Sequence, residues 1–142
     1  MKYLALDYGT KRTGVAVSDP DGIMAFPRCT LHKETRDGFF ADLLALIEKE
    51  APDAIVLGYP LYTDGTECLT TRQVRNFAAS LKRRCPLPLY YMNEVLSSAD
   101  AEGRLAQAGL RSRAIKEVVD QEAAVLILES FLAQPENLRT EA

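Results

Sequence analysis

Cysteine, histidine and long apolar runs are all scarce in this chain. Its three cysteines, Cys29, Cys68 and Cys85, are odd in number, widely spaced and never paired as CxxC. That excludes a disulfide framework and a zinc knuckle and leaves them as reduced packing residues. No segment approaches the roughly 20 unbroken apolar residues of a membrane span, and Met1-Lys2-Tyr3-Leu4-Ala5-Leu6-Asp7 meets an acid too early for a signal-peptide core. A cytoplasmic protein with no membrane partner is expected. The one histidine, His32, lies in the polar stretch Leu31-His32-Lys33-Glu34 and reads as a surface residue. An excess of positive charge is missing too: 17 basic against 20 acidic residues give −3, which does not advertise a nucleic-acid binder. Repeats, linkers and low-complexity segments are absent, and 142 residues suit a single domain, 1–142.

The global charge conceals local stripes. From Gly103 to Lys116 there is no acid, while Arg104, Arg111, Arg113 and Lys116 supply four cations. Lys11-Arg12 and Lys82-Arg83-Arg84 form two further clusters. The last of these suits a helix C-terminus, where cations complement the dipole.

The apolar pattern predicts an α/β order. Residues 3 to 7 and 13 to 18 are short strands around Tyr8-Gly9-Thr10-Lys11-Arg12, a hairpin with a basic tip. A third strand near 25 to 31 contains Pro27, which belongs at an edge or a strand start. A helix follows from Arg36 to Glu50, then a buried strand Ala54-Ile55-Val56-Leu57 closed by Gly58-Tyr59-Pro60. A second helix spans about 67 to 84 and a fifth strand 87 to 92. A short helix then runs from Ser97 or Ser98 to Ala108-Gly109, a last helix from about 114 to 133, and a polar, frayed tail from Pro135. The expected architecture is a five-stranded mixed sheet, antiparallel at first and parallel afterwards, with helices on both faces.

Three acids stand out against this frame. On a helical wheel Asp120 shares the stripe of Ala124, Ile127 and Phe131, and a carboxylate there costs several kcal/mol unless it is paired, hydrogen-bonded or bound to a cation. Asp7 ends the apolar run Leu4-Ala5-Leu6 beside the basic tip, and Glu94 sits just beyond the fifth strand in Asn93-Glu94-Val95. Each alone reads equally as a turn, a cap or a loop acid. Together, carboxylates from a strand, a post-strand loop and a helix can converge on hard cations. Two Mg²⁺ ions so held activate water and stabilise the leaving oxygen of a phosphodiester.

The run from Leu6 to Asp19 (LDYGTKRTGVAVSD), Gly58-Tyr59-Pro60 with Asp64-Gly65-Thr66-Glu67, and Asp120 followed by Ala123-Ala124 and Ile127-Leu128 resemble the YqgF family. These are the pre-16S rRNA nucleases, also called Holliday-junction-resolvase-like proteins. The resemblance spans Tyr3 to Leu132 and implies the RNase H-like fold, with trimming of the 5′ end of precursor 16S rRNA as the activity. It implies that Asp7, Glu94 and Asp120 are the catalytic acids and the ligands of Mg²⁺ or Mn²⁺. The basic loop with Thr10, Lys11 and Arg12, together with Asn93, Arg111 and Arg113, then contacts structured RNA or DNA.

The chain departs from the family in two places, one of them Gly58-Tyr59-Pro60 where the family reads Gly-Leu-Pro. Where the family reads Asp-Glu-Arg, this chain has Asn93-Glu94-Val95. Asn93 still offers an oxygen, whereas Val95 clamps no phosphate. That departure motivates an alternative, a binding or assembly factor of the same fold with little catalysis; a DNA-junction resolvase is another. Asp-x-Gly-Thr also occurs in two-domain phosphotransferases, for which 142 residues are too few. Tyr59 either packs in the core or stacks on a base. Both a monomer and a homodimer are compatible with the sequence.

Overall fold

The computed structural model describes residues 1–61, 69–95, 113–136 and 139–142. Its strands are β1 (Tyr3–Asp7), β2 (Arg12–Ser18), β3 (Ala25–His32), β4 (Ala54–Leu61), β5 (Leu89–Val95) and β6 (Thr140–Glu141). Its helices are α1 (Arg36–Glu50), α2 (Leu69–Arg84) and α3 (Arg113–Ala133). One sheet runs in the order β3-β2-β1-β4-β5-β6. The pairs β1/β2, β2/β3 and β5/β6 are antiparallel, while β1/β4 and β4/β5 are parallel.

Strand alternation sorts the core into two layers. Leu4 and Leu6 of β1, Val15 of β2 and Ile55 and Leu57 of β4 point to one face, where they meet Phe39, Phe40, Leu43 and Ile47 of α1 and Val74, Phe77 and Leu81 of α2. Tyr3 and Ala5, Ala16, Ala54 and Val56 point to the other, against Ala124, Ile127, Leu128 and Phe131 of α3. Each large side chain so buried contributes roughly 1.5–3 kcal/mol. The alanines beneath α3 let that helix lie close to the sheet.

Local chemistry sets the boundaries of α1. Thr35 caps its N-terminus, its hydroxyl accepting from the Gly38 N–H at 3.0 Å, and Ala51 ends it in the left-handed conformation immediately before Pro52. Pro27 lies on β3, the edge strand, where a missing N–H costs no ladder bond. Among the described residues no helix is long and apolar enough to cross a membrane.

Four expectations change. β4 is not closed by Gly58-Tyr59-Pro60 but continues to Leu61, because β5 also runs on and pairs with it through Gly58↔Met92, Tyr59↔Asn93 and Pro60↔Glu94. Glu94 is therefore a strand residue rather than a loop residue. The tail is not wholly frayed: Thr140 and Glu141 pair with Tyr91 and Tyr90, and the Ala142 N–H donates to the Leu89 carbonyl at 2.7 Å. The sheet thus has six strands instead of five. The short helix expected between 97 and 109 lies outside the described residues.

Candidate active site

The carboxyl ends of β1, β4 and β5 share one edge of the sheet, the place where parallel strands present ligand-binding groups. Asp7 ends β1 there. It continues the alternation of Tyr3 and Ala5, so it belongs to the face that α3 covers.

Asp120 reaches the same place from the helix through a glycine. Asp7 is the cross-strand partner of Gly14, and a Cβ built on Gly14 would fall on the Asp120 carbonyl, 3.0 Å from the Asp120 Cα. Any side chain at 14 would push α3 off the sheet. Cross-strand Cα atoms are about 4.5–5.5 Å apart, so the Cα atoms of Asp7 and Asp120 are at most about 10 Å apart.

Arg12, two residues before Gly14 on β2, donates from its Nε to Asp120 Oδ2 at 2.8 Å. The two side chains keep 28% and 19% of their exposure, so the pair is shielded yet reachable from solvent. Gly9 makes the turn that brings Arg12 there, since a Cβ at 9 would collide with the Arg12 carbonyl. The Lys33 N–H donates to the Lys11 carbonyl at 2.9 Å and ties the basic loop to the segment after β3.

The other expected site residues are placed as follows. Glu94 lies at the same end of the sheet on β5, opposite Pro60, with β4 between it and Asp7; two interstrand gaps and the offset of Pro60 beyond Gly58, the position level with Asp7, separate the two backbones by about 12 Å. Asn93 is exposed and opposite Tyr59. Thr10 and Lys11 are exposed at the loop tip. Arg113 opens α3, while Arg111 lies outside the described residues. The structure thus brings Asp7, Arg12 and Asp120 together. Among the described residues no group of three His, Cys, Asp or Glu is arranged to hold a metal ion.

Tyr59 packs against the core, its ring 4.6 Å from that of Tyr91. Cys85 is buried, and burial pushes the Cys29 thiol above its usual range, away from the nucleophilic thiolate form. Sequence reasoning passed over Gly14. Its signal was there, because a glycine inside an alternating strand marks a close backbone approach.

A family model described as "RuvX: Holliday junction resolvase" matches residues 1–134. A protein of Nitratidesulfovibrio vulgaris (strain DSM 19637 / Miyazaki F), named "Putative pre-16S rRNA nuclease", is 62% identical over 142 residues and the match covers the whole of both chains. One of the same name from Oleidesulfovibrio alaskensis is 57% identical over 139 residues, 98% of this chain and 96% of its own. Among solved structures, T. thermophilus RuvC in complex with a Holliday junction substrate superposes with a TM-score of 0.61 at 12% identity, covering 100% of this chain and 99% of that one. A second Thermus thermophilus RuvC structure gives 0.56 at 13% identity, with both chains covered in full. At that identity the likeness shows the fold, which is RNase H-like.

Proposed function

The chain belongs to the RuvX (YqgF) family of nucleases, and from that premise we propose that it hydrolyses phosphodiester bonds at the sheet edge shared by Asp7 and Asp120, trimming the 5′ end of precursor 16S rRNA. The observation that carries this reading is the seating of Asp120 on Gly14, the strand partner of Asp7. Two acids distant in sequence thereby share one edge.

Carboxylate oxygens are the donors a hard divalent cation takes, and Asp7 and Asp120 offer them on one edge; Arg12, which pairs with Asp120, would have to release that carboxylate for it to serve as a ligand. Asp7, Asp120 and Glu94 would hold Mg²⁺ or Mn²⁺, which when bound supplies an acidified water and charge for the leaving oxygen. In hydrolysis the water oxygen bonds phosphorus and gives up a proton, one bridging P–O bond breaks and the leaving oxygen takes up a proton. Arg12, aimed at the same edge, contacts a non-bridging phosphate oxygen. Thr10, Lys11, Asn93, Arg111 and Arg113 position the backbone around it, a sequence-independent and salt-sensitive contact.

The test is a metal-titrated cleavage assay on a precursor-rRNA 5′ leader and a four-way DNA junction, side by side. Cleavage of the leader is expected to vanish on chelation. Asp7→Asn and Asp120→Asn are expected to lower it at least about 100-fold while leaving binding intact. Variants that cut as fast as the parent would refute the assignment of roles. Preference for the junction would favour the activity in the family's description. Binding without cleavage of either substrate would favour the assembly-factor reading that Asn93 and Val95 motivate.

A further inference from the structure

On the face opposite α3, a cleft of about 280 Å³ opens between α1, α2 and the basic loop. Its mouth is formed by Tyr8 and Thr10 from the loop, Lys33 and Arg36 at the entry to α1, and Gln73 and Asn76 on α2. Among the described residues no carboxylate lines it. Glu34 faces a separate hollow with Thr35 and Asp42.

Neutral partners hold both cations of the cleft in place. Lys33 Nζ donates to the Tyr8 hydroxyl at 2.9 Å and lies 5.4 Å from that ring's centre. The Arg36 guanidinium donates to Ser80 Oγ at 2.9 Å. Neither takes part in the ion pairs among the described residues, which join Lys2 and Arg28 to Glu50 and Arg12 to Asp120. Two cations oriented without an acid attract an anion at little further cost in side-chain order. Part of the lining is aromatic: the Tyr8 ring stacks on Phe77 at 4.2 Å and 14°. On the α2 side of the cleft, Gln73 and Asn76 each offer a donor and an acceptor, the groups that recognise a base edge.

The cleft and the acidic edge share one loop. Residues 8 to 12 pass from the cleft, through Tyr8 and Thr10, to Arg12 beside Asp120. The geometry points to a nucleotide-binding subsite: the cleft holds one nucleotide of a single-stranded part of the substrate, its phosphate on Lys33 and Arg36 and its base edge on Gln73 and Asn76. This inference rests on the nuclease reading for the identity of the strand. Its function is to fix which phosphate of that strand reaches Asp7 and Asp120.

The experiment uses the full chain carrying Asp7→Asn, which is expected to bind without cutting. A 5′-phosphorylated single-stranded hexaribonucleotide is titrated into it and followed by ¹H–¹⁵N NMR, with inorganic phosphate in a parallel titration. The expected result is movement of the Gln73 and Asn76 side-chain amide signals with the oligonucleotide. The added pair Lys33→Ala and Arg36→Ala is expected to weaken its Kd at least about tenfold, two phosphate contacts being lost. Asn76→Ala, a surface change, is expected to weaken it with no change in Tm, which separates recognition from folding. Amide shifts confined to α3 and β1, or a Kd unmoved in these variants, would overturn the inference. So would inorganic phosphate binding as tightly as the oligonucleotide. If the cleft binds the oligonucleotide but the parent protein cleaves nothing, only the nuclease reading fails; if the parent cleaves while the cleft stays silent, only the subsite fails.

Discussion

Gly14 does for the site what no acid can do for itself. Asp7 and Asp120 are brought together by a contact between backbone atoms, the α3 turn resting directly on the Gly14 Cα. Gly14→Ala is therefore expected to lower stability by about 3 kcal/mol, the upper range for overpacking, read as a fall in Tm of about 10 °C for a chain of this size. The same variant is expected to lose cleavage even below its Tm, because α3 must lift to admit the methyl group. Unchanged thermal unfolding with unchanged cleavage would show that the helix is not seated where the geometry puts it. Arg12 belongs to a different class: its pair with Asp120 is partly solvated and is worth no more than about 1 kcal/mol to stability. Its proposed role is to place positive charge at the site.

At the scale of elements, α1 carries a small unrelieved strain at its end. Ala51 sits at φ 48°, ψ 52°, its N–H donating to the Ile47 carbonyl at 2.8 Å. A side chain in that conformation costs roughly 1–2 kcal/mol, partly offset because glycine gives the unfolded chain more freedom. Ala51→Gly is expected to raise stability by about 0.5 kcal/mol and Tm by about 2 °C; differential scanning calorimetry that finds a decrease would contradict this account of the cap. The elements themselves were largely legible. The first hairpin, α1, α2 and the last helix announce themselves by alternation or by apolar residues at helical spacing, and Asp120 was placed by the same wheel. Strand ends were less legible. Gly58-Tyr59-Pro60 reads as a terminator, yet β4 runs through it because β1 stops pairing at Leu57 while β5 continues to Leu61. A proline beyond the last β1 partner removes no ladder bond on that side. β6 is two residues of polar sequence, and nothing local distinguishes it from a free tail; only the open edge of β5 makes it a strand. The cleft was invisible for a related reason, since Lys33, Arg36, Gln73 and Asn76 form no motif and meet only through packing.

At the amino-terminal edge of the molecule one carboxylate joins three segments of the chain. Glu50, at the end of α1, accepts from the Arg28 guanidinium on β3 and from Lys2 Nζ at 3.2 Å, while the same Lys2 Nζ donates to the Glu50 carbonyl at 2.8 Å. Three segments distant in sequence are thus joined across the sheet and α1. An acid at a helix C-terminus is repelled by the dipole, so the two cations offset an unfavourable placement as well as linking the segments. The hydrogen bond from Arg28 does most to hold the Glu50 carboxyl below its usual range, with Lys2 assisting against the opposing effect of burial. Because the folded-state value is depressed, the stabilisation is fully present above the ordinary value of 4.5 and is lost as pH falls through the lower folded-state value. Glu50→Gln keeps the shape and removes the charge. It is expected to cost about 1–2 kcal/mol at pH 7, and urea unfolding is expected to show the gap between parent and variant closing as pH drops below 4.5. Asp19 shifts in the same direction but is present in both proteins and cancels from the difference. A gap that stays constant from neutral to acidic pH would mean that Glu50 acts through shape alone, and the electrostatic tie between β1, β3 and α1 would have to be abandoned.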